Sequence, residues 1–251
     1  MNSTNKLFSF NTDISKVEIP ETLNNPFGSD LPDIARIAGI EFQYYIEKVV
    51  DNWEYDFNNR KGKMFGVLVV QTQSESYGYL GAVSGRLSRH TEYEELVPSV
   101  FDDSSDDYFI NKGMTAVTKF GTLINESECE LEISTLKEER RLKSIEIQQK
   151  LFEHYHFLNL SGHESNLLEI FKNVSIEKPP SAAGECAAPK LLQYAFEYDL
   201  KPIAIAEFWW GRTAPNQYRE QKKFYPACID KCKPILEYML EDNELYNKGI
   251  N

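Results

Sequence analysis

Apolar positions recur at helical intervals from Pro32 onward. In DIARIAGIEFQYYIEKVVDNW, Ile34, Ile37, Ile40, Phe42, Tyr45, Ile46 and Val49 share one face, which predicts an amphipathic first helix. Residues 1–32 mix Asn, Ser, Thr and Pro without a sustained period and read as an irregular lead-in. Met64–Val70 is short, apolar and β-branched, and Tyr79–Gly85 repeats that character beyond the polar QTQSESYG. The pair predicts a hairpin with a longer loop. Gly66, Gly78, Gly81 and Gly85 fit ordinary turn chemistry, or alternatively a bulge or the close approach of another element.

Further on, ESECELEISTLKEERRLKSIEIQQKLFEHYHFL predicts the longest helix, at about residues 133–158. Its charges alternate on one side, while Leu142, Ile145, Ile147, Leu151 and Tyr155 supply the other. His154 and His156 are two apart and would face different sides of such a helix, so they read as packing or surface residues. A short apolar helix follows at Leu167–Phe171, then an extended linker, IEKPPSAA. Ala188, Leu191, Leu192, Ala195 and Phe196 mark another helix, Ile203–Trp210 a buried strand, and the segment from Cys228 or Cys232 a last helix. The class is α/β. One domain is expected over 33–251, with a helical insertion at about 133–175 and no internal repeat.

Composition narrows the function. A hydrophobic share of 41% supports a real core, and a net charge of −12 argues against a protein that coats nucleic acid unaided. The charge is not uniform: Arg212, Arg219, Lys222, Lys223, Lys231 and Lys233 face only Glu220 and Asp230. No apolar run reaches the ~20 residues that span a bilayer. MNSTNKLFSFNTDISK lacks the pattern of a signal peptide, so a cytoplasmic protein without membrane association is expected. Asp102-Asp103-Ser104-Ser105-Asp106-Asp107 lacks the glycine and terminal Glu of a calcium loop and reads as a solvated acidic loop.

The pointed chemistry lies in residues 184–240. Cys186 opens one helical pattern, and Cys228 and Cys232 sit at the start of the next, four apart and so one turn from each other. Thiolates bind Zn²⁺ well, and helix starts favour them. The alternative is three ordinary buried cysteines.

The order of a first helix, a hairpin, a helix at GECAAPKLL, a strand at PIAIAEFWW and a helix at PACIDKC resembles the zinc-dependent cytidine and nucleic-acid deaminase fold. There H/C-x-E opens one helix and P-C-x-x-C the next, the zinc activates water, and the Glu shuttles protons. The resemblance implies a three-layer deaminase-type core with Cys186, Cys228 and Cys232 as metal ligands. It departs at Ala188, where the family has its Glu, and at the three residues between Cys228 and Cys232. Glu185 is the only nearby substitute in sequence, provided that it points the other way round.

Strings along nearly the whole chain, among them KMFGVLVVQ, GYLGAVSG, LVPSVFD, EIQQKLFEHYHFLNLSG, PPSAAGECAAPKLLQYAFEYDLKPIAIAEFWWG and FYPACIDKCKPILEYML, resemble the N-terminal region found ahead of the catalytic domain in a group of bacterial RluA-type pseudouridine synthases. This implies a role in rRNA or tRNA modification beside a separate or missing synthase domain. The H-R-L-D-like string that carries that family's active aspartate does not occur here.

Three functions follow as expectations. The first is a non-catalytic, RNA-associated accessory module that binds zinc, in which Arg212, Arg219, Lys222 and Lys223, interleaved with Trp209, Trp210, Tyr218 and Phe224, offer charge and stacking faces. That cluster could equally be a solvated loop covering the end of a strand. The second is a free-standing zinc-dependent base or nucleotide hydrolase using Cys186, Cys228, Cys232 and Glu185. The third is a metal-free interaction module docking through the long charged helix.

Overall fold

The computed structural model describes residues 6–88, 91, 93–101, 109–213 and 218–241. The acidic run 102–107 lies outside them. In chain order come α1 (Asp33–Val49), β1 (Lys63–Gln71), β2 (Tyr77–Val83), α2 (Phe109–Glu126), α3 (Glu130–Glu153), β3 (His156–Leu158), β4 (Glu164–Asn166), α4 (Leu167–Asn173), α5 (Ala187–Glu197), β5 (Lys201–Trp210), β6 (Phe224–Tyr225) and α6 (Ile229–Met239). The chain is mixed α/β, and its main sheet runs β2-β1-β5-β6 with every neighbouring pair antiparallel.

Strand alternation sorts the sheet's side chains into two cores. Phe65, Val67 and Val69 of β1 join Ile34, Ala38, Phe42 and Ile46 of α1 on one face. Leu68 and Val70 join Leu191, Leu192, Ile235 and Leu236 of α5 and α6 on the other. Both faces are covered, so β1 and β5 read as nearly continuous apolar runs and not as alternating ones. Two glycines set how closely the helices lie. A Cβ on Gly81 would meet the Phe42 ring at 2.3 Å, and one on Gly66 would meet Ala187 at 3.0 Å. Close approach explains both positions.

Residues 6–32 carry no helix or multi-residue strand, yet they wrap the sheet. Phe8 exchanges two 2.9 Å backbone hydrogen bonds with Tyr79 at the β2 edge. Asn11 and Thr12 donate their backbone N–H groups to Glu41 of α1. At the opposite edge the Asn24 side chain accepts from Ile205 N–H at 2.8 Å and donates to its carbonyl at 3.1 Å. Asn24 thus satisfies β5 where the two-residue β6 gives out.

α2 and α3 form the helical insertion, which begins at 109 and not near 133. α3 stops at Glu153, short of the expected 158, because the buried positions Tyr155 and Phe157 change to a spacing of two and the chain enters β3. His156 then pairs with Asn166 in the β3–β4 register and reaches Glu164 diagonally, at 3.1 Å. No described helix is long and apolar enough to cross a membrane.

Candidate functional site

Two helices begin at cysteines on the same side of the sheet. Cys186 is the N-cap of α5 and Cys228 that of α6, both with extended backbone, and neither sulfur caps its own helix. Cys232 lies one turn into α6, 1% exposed, in the core shared with Ala187, Ala188 and Leu191. Pro234 is accommodated within α6, which continues to Met239. The Cys232 thiol interacts with those of both Cys186 and Cys228. Those contacts and burial push the Cys232 thiol up. Cys228 is pulled down to about 5 by the Cys232 thiol and, against its burial, by the N–H groups of Lys231 and Asp230 in the first turn of α6. Cys129 is exposed and separate.

This donor set is soft and suits zinc in kind. As placed, the contacts run through Cys232, and among the described residues no three His, Cys, Asp or Glu side chains form a ready coordination group.

Glu207, inconspicuous within its apolar run, is placed by the fold near these thiols. It belongs to the same face of β5 as Ile205, is 7% exposed, and its Oε1 accepts the Ala188 N–H at 3.0 Å. Burial raises its carboxyl to about 7, and the neighbouring Cys228 adds to this; the Ala188 N–H and Arg219 offset part of it. Next to it is a cavity of about 30 Å³, lined by Glu207, Ala188, Asn24, Tyr225, Pro226 and Ala227. That is room for one water. A single acid within the apolar run of β5 was the available signal, since charged residues are seldom buried without a reason.

Glu185 is engaged elsewhere. Its Oε1 accepts from the Tyr155 hydroxyl, and its Oε2 lies 3.2 Å from the Lys190 ammonium. Lys190 is 2% exposed and donates to the carbonyls of Val83 (3.2 Å) and Gly85 (2.9 Å). Burial holds its ammonium below the usual lysine range. This network ties the start of α5 to the end of β2.

The basic and aromatic residues divide between the two faces. Arg219 stacks over Tyr225, 4.4 Å from the ring centre, and over Trp209 at 5.9 Å, on the thiol side. Trp209 is buried and donates its indole N–H to the Gly211 carbonyl. Arg212 reaches the Asn58 carbonyl, and Lys222 pairs with Glu47 of α1, both toward the opposite face. Lys223 pairs with Glu220.

No family model, curated protein or solved structure matches the chain.

Proposed function

We propose that this chain is a zinc-binding module of RNA modification with a deaminase-type core, working beside an RluA-type pseudouridine synthase catalytic domain. The observation that carries the reading is the contact of Cys232 with both Cys228 and Cys186 where α5 and α6 begin, although Cys186 is remote in sequence from the other two. The deaminase-type core is supported by the order α1, β1–β2 hairpin, α5, β5, α6, with β1 antiparallel between β2 and β5. Cys186, Cys228 and Cys232 would hold the metal. Bound there, zinc would supply Lewis acidity. Near the thiols, Arg219 with Tyr225 and Trp209 offers a cation and ring faces to an unpaired base.

Metal analysis of the purified chain tests this. The expected result is about one zinc per chain, lost in Cys228→Ser and Cys232→Ser and kept in Cys129→Ser. Single-stranded RNA binding should weaken in Arg219→Gln, with a shallower salt dependence. A wild-type chain free of zinc, or a metal that survives both core substitutions, refutes the metal reading. An unchanged salt slope refutes the RNA contact.

A further inference from the structure

We infer that α3 and the linker before α5 form a second contact for single-stranded nucleic acid, one that grips the phosphodiester backbone without reading the bases. It goes beyond the contact at Arg219 and needs no metal. A cleft of about 480 Å³ is lined by Lys137, Arg140, Arg141, Ser144 and Gln148 of α3 and by Ser181 of the linker. Positions 137, 141, 144 and 148 recur at intervals of three and four, so they form one stripe along the helix. Donors therefore recur about once per turn, or every ~5.4 Å. That suits a strand with repeating negative charge along its length better than a compact anion. Among the described residues, no carboxylate and no aromatic ring lines the cleft. Cations attract phosphate, and without a ring face there is nothing for a base to stack on.

Ion pairing on the rest of α3 sets these cations apart. Lys143 and Lys150 both pair with Glu146, at 2.8 and 2.9 Å. Lys137 and Arg140 make no ion pair among the described residues. Arg141 pairs with Glu138 at 2.6 Å, but both side chains are more than half exposed, and such a pair yields readily to a phosphate. Only Ile147 and Phe152 of the 24 residues of α3 are buried, so core packing does not account for the length of this helix.

A purely structural account is that these side chains keep an acidic protein soluble. Cations that only offset the net charge of −12 would serve equally well scattered over the surface. They would not need to converge on one cleft free of acids.

The experiment uses the full chain with oligouridylate and oligothymidylate, and follows affinity by fluorescence anisotropy over a range of salt concentrations. Lys137→Gln/Arg140→Gln is compared with Lys143→Gln/Lys150→Gln, which changes the net charge equally on the same helix but outside the cleft. Lys137 and Arg140 are exposed, so their substitution leaves the fold intact. Loss of two phosphate contacts should make the slope of log affinity against log salt shallower by about 1.4. A tenfold rise in salt then costs the cleft variant about 25-fold less affinity than it costs wild type. The change should be the same for RNA and DNA, and Lys137→Arg/Arg140→Lys should keep the wild-type slope. A cleft variant with the wild-type slope, or a control that changes as much, overturns this inference and leaves the contact at Arg219 standing. So does polyglutamate that competes as well as inorganic polyphosphate, since an acidic peptide would then be the occupant. A wild-type chain that binds neither oligonucleotide overturns both.

Discussion

Glu207→Gln should make the metal-free protein more stable at alkaline pH, and the gain should disappear on acidification. In the folded chain burial raises the Glu207 carboxyl from an ordinary 4.5 to about 7. The native state therefore holds a proton between these values that the unfolded chain releases. Stability from this group is complete below the unfolded value and is lost as pH rises through about 7. At pH 8 the full shift corresponds to about 3 kcal/mol of destabilisation. Gln carries no charge, and its amide oxygen can still accept the Ala188 N–H. The substitution should recover roughly 2–3 kcal/mol, or about 5–10 °C in Tm for a chain of this length.

The assay is urea unfolding of both proteins in chelator at pH 8 and pH 5. Because other titrating groups are common to both, the difference isolates residue 207. A gap that is absent at pH 8, or that fails to narrow at pH 5, refutes the claim that this carboxylate is buried at a cost. A confirmed gap means that the chain retains a destabilising acid, as sites organised for chemistry do.

The remaining predictions concern how the site is held. Gly66→Val should force Ala187 and Leu191 away from β1, at roughly 1–3 kcal/mol, and weaken zinc binding in a chelator competition; Gly81→Ala, against Phe42 on the other face, should cost stability while zinc is kept. Asn24→Ala removes both partners of Ile205 on β5, so it should cost about 1–3 kcal/mol by denaturant unfolding and speed amide exchange at Ile205. Lys190→Met leaves Glu185 beside an apolar group and should cost roughly 3–5 kcal/mol, with most of it regained in Lys190→Met/Glu185→Gln.

Much of the scaffold was legible because it is written in periodicity. The apolar stripe of α1, the β1–β2 hairpin, and the helix–strand–helix order around Cys186 and Cys228 all follow from local pattern and punctuation. The end of α3 was not, because Tyr155 and Phe157 are buried in the core shared with α5 and α6, which come later in the chain. The role of residues 6–32 was hidden too. Their hydrogen bonds go to Tyr79, Glu41 and Ile205, distant in sequence, and need no period of their own. Within the site, the cysteines were visible by type and spacing. Glu207 was masked by the apolar run that surrounds it, and the basic cluster looked continuous in sequence although Arg219 stacks on Tyr225 and Trp209 while Arg212 and Lys222 are engaged by Asn58 and Glu47.

The location of the site is a consequence of register. Gly66 of β1, Glu207 of β5 and Tyr225 of β6 are paired in one row across the sheet. Gly66 leaves space for the first turn of α5, and so fixes where Cys186 stands above that row. Tyr225 is followed by Pro226, Ala227 and Cys228, so the same row sets where α6 begins and, one turn later, where Cys232 lies. Strand pairing therefore brings a glycine, a carboxylate and two helix starts to one point without any of them being close in sequence. Because side chains alternate along a strand, a slip of one residue in the β1–β5 pairing would turn Glu207 toward α1 and put Phe208 under the thiols.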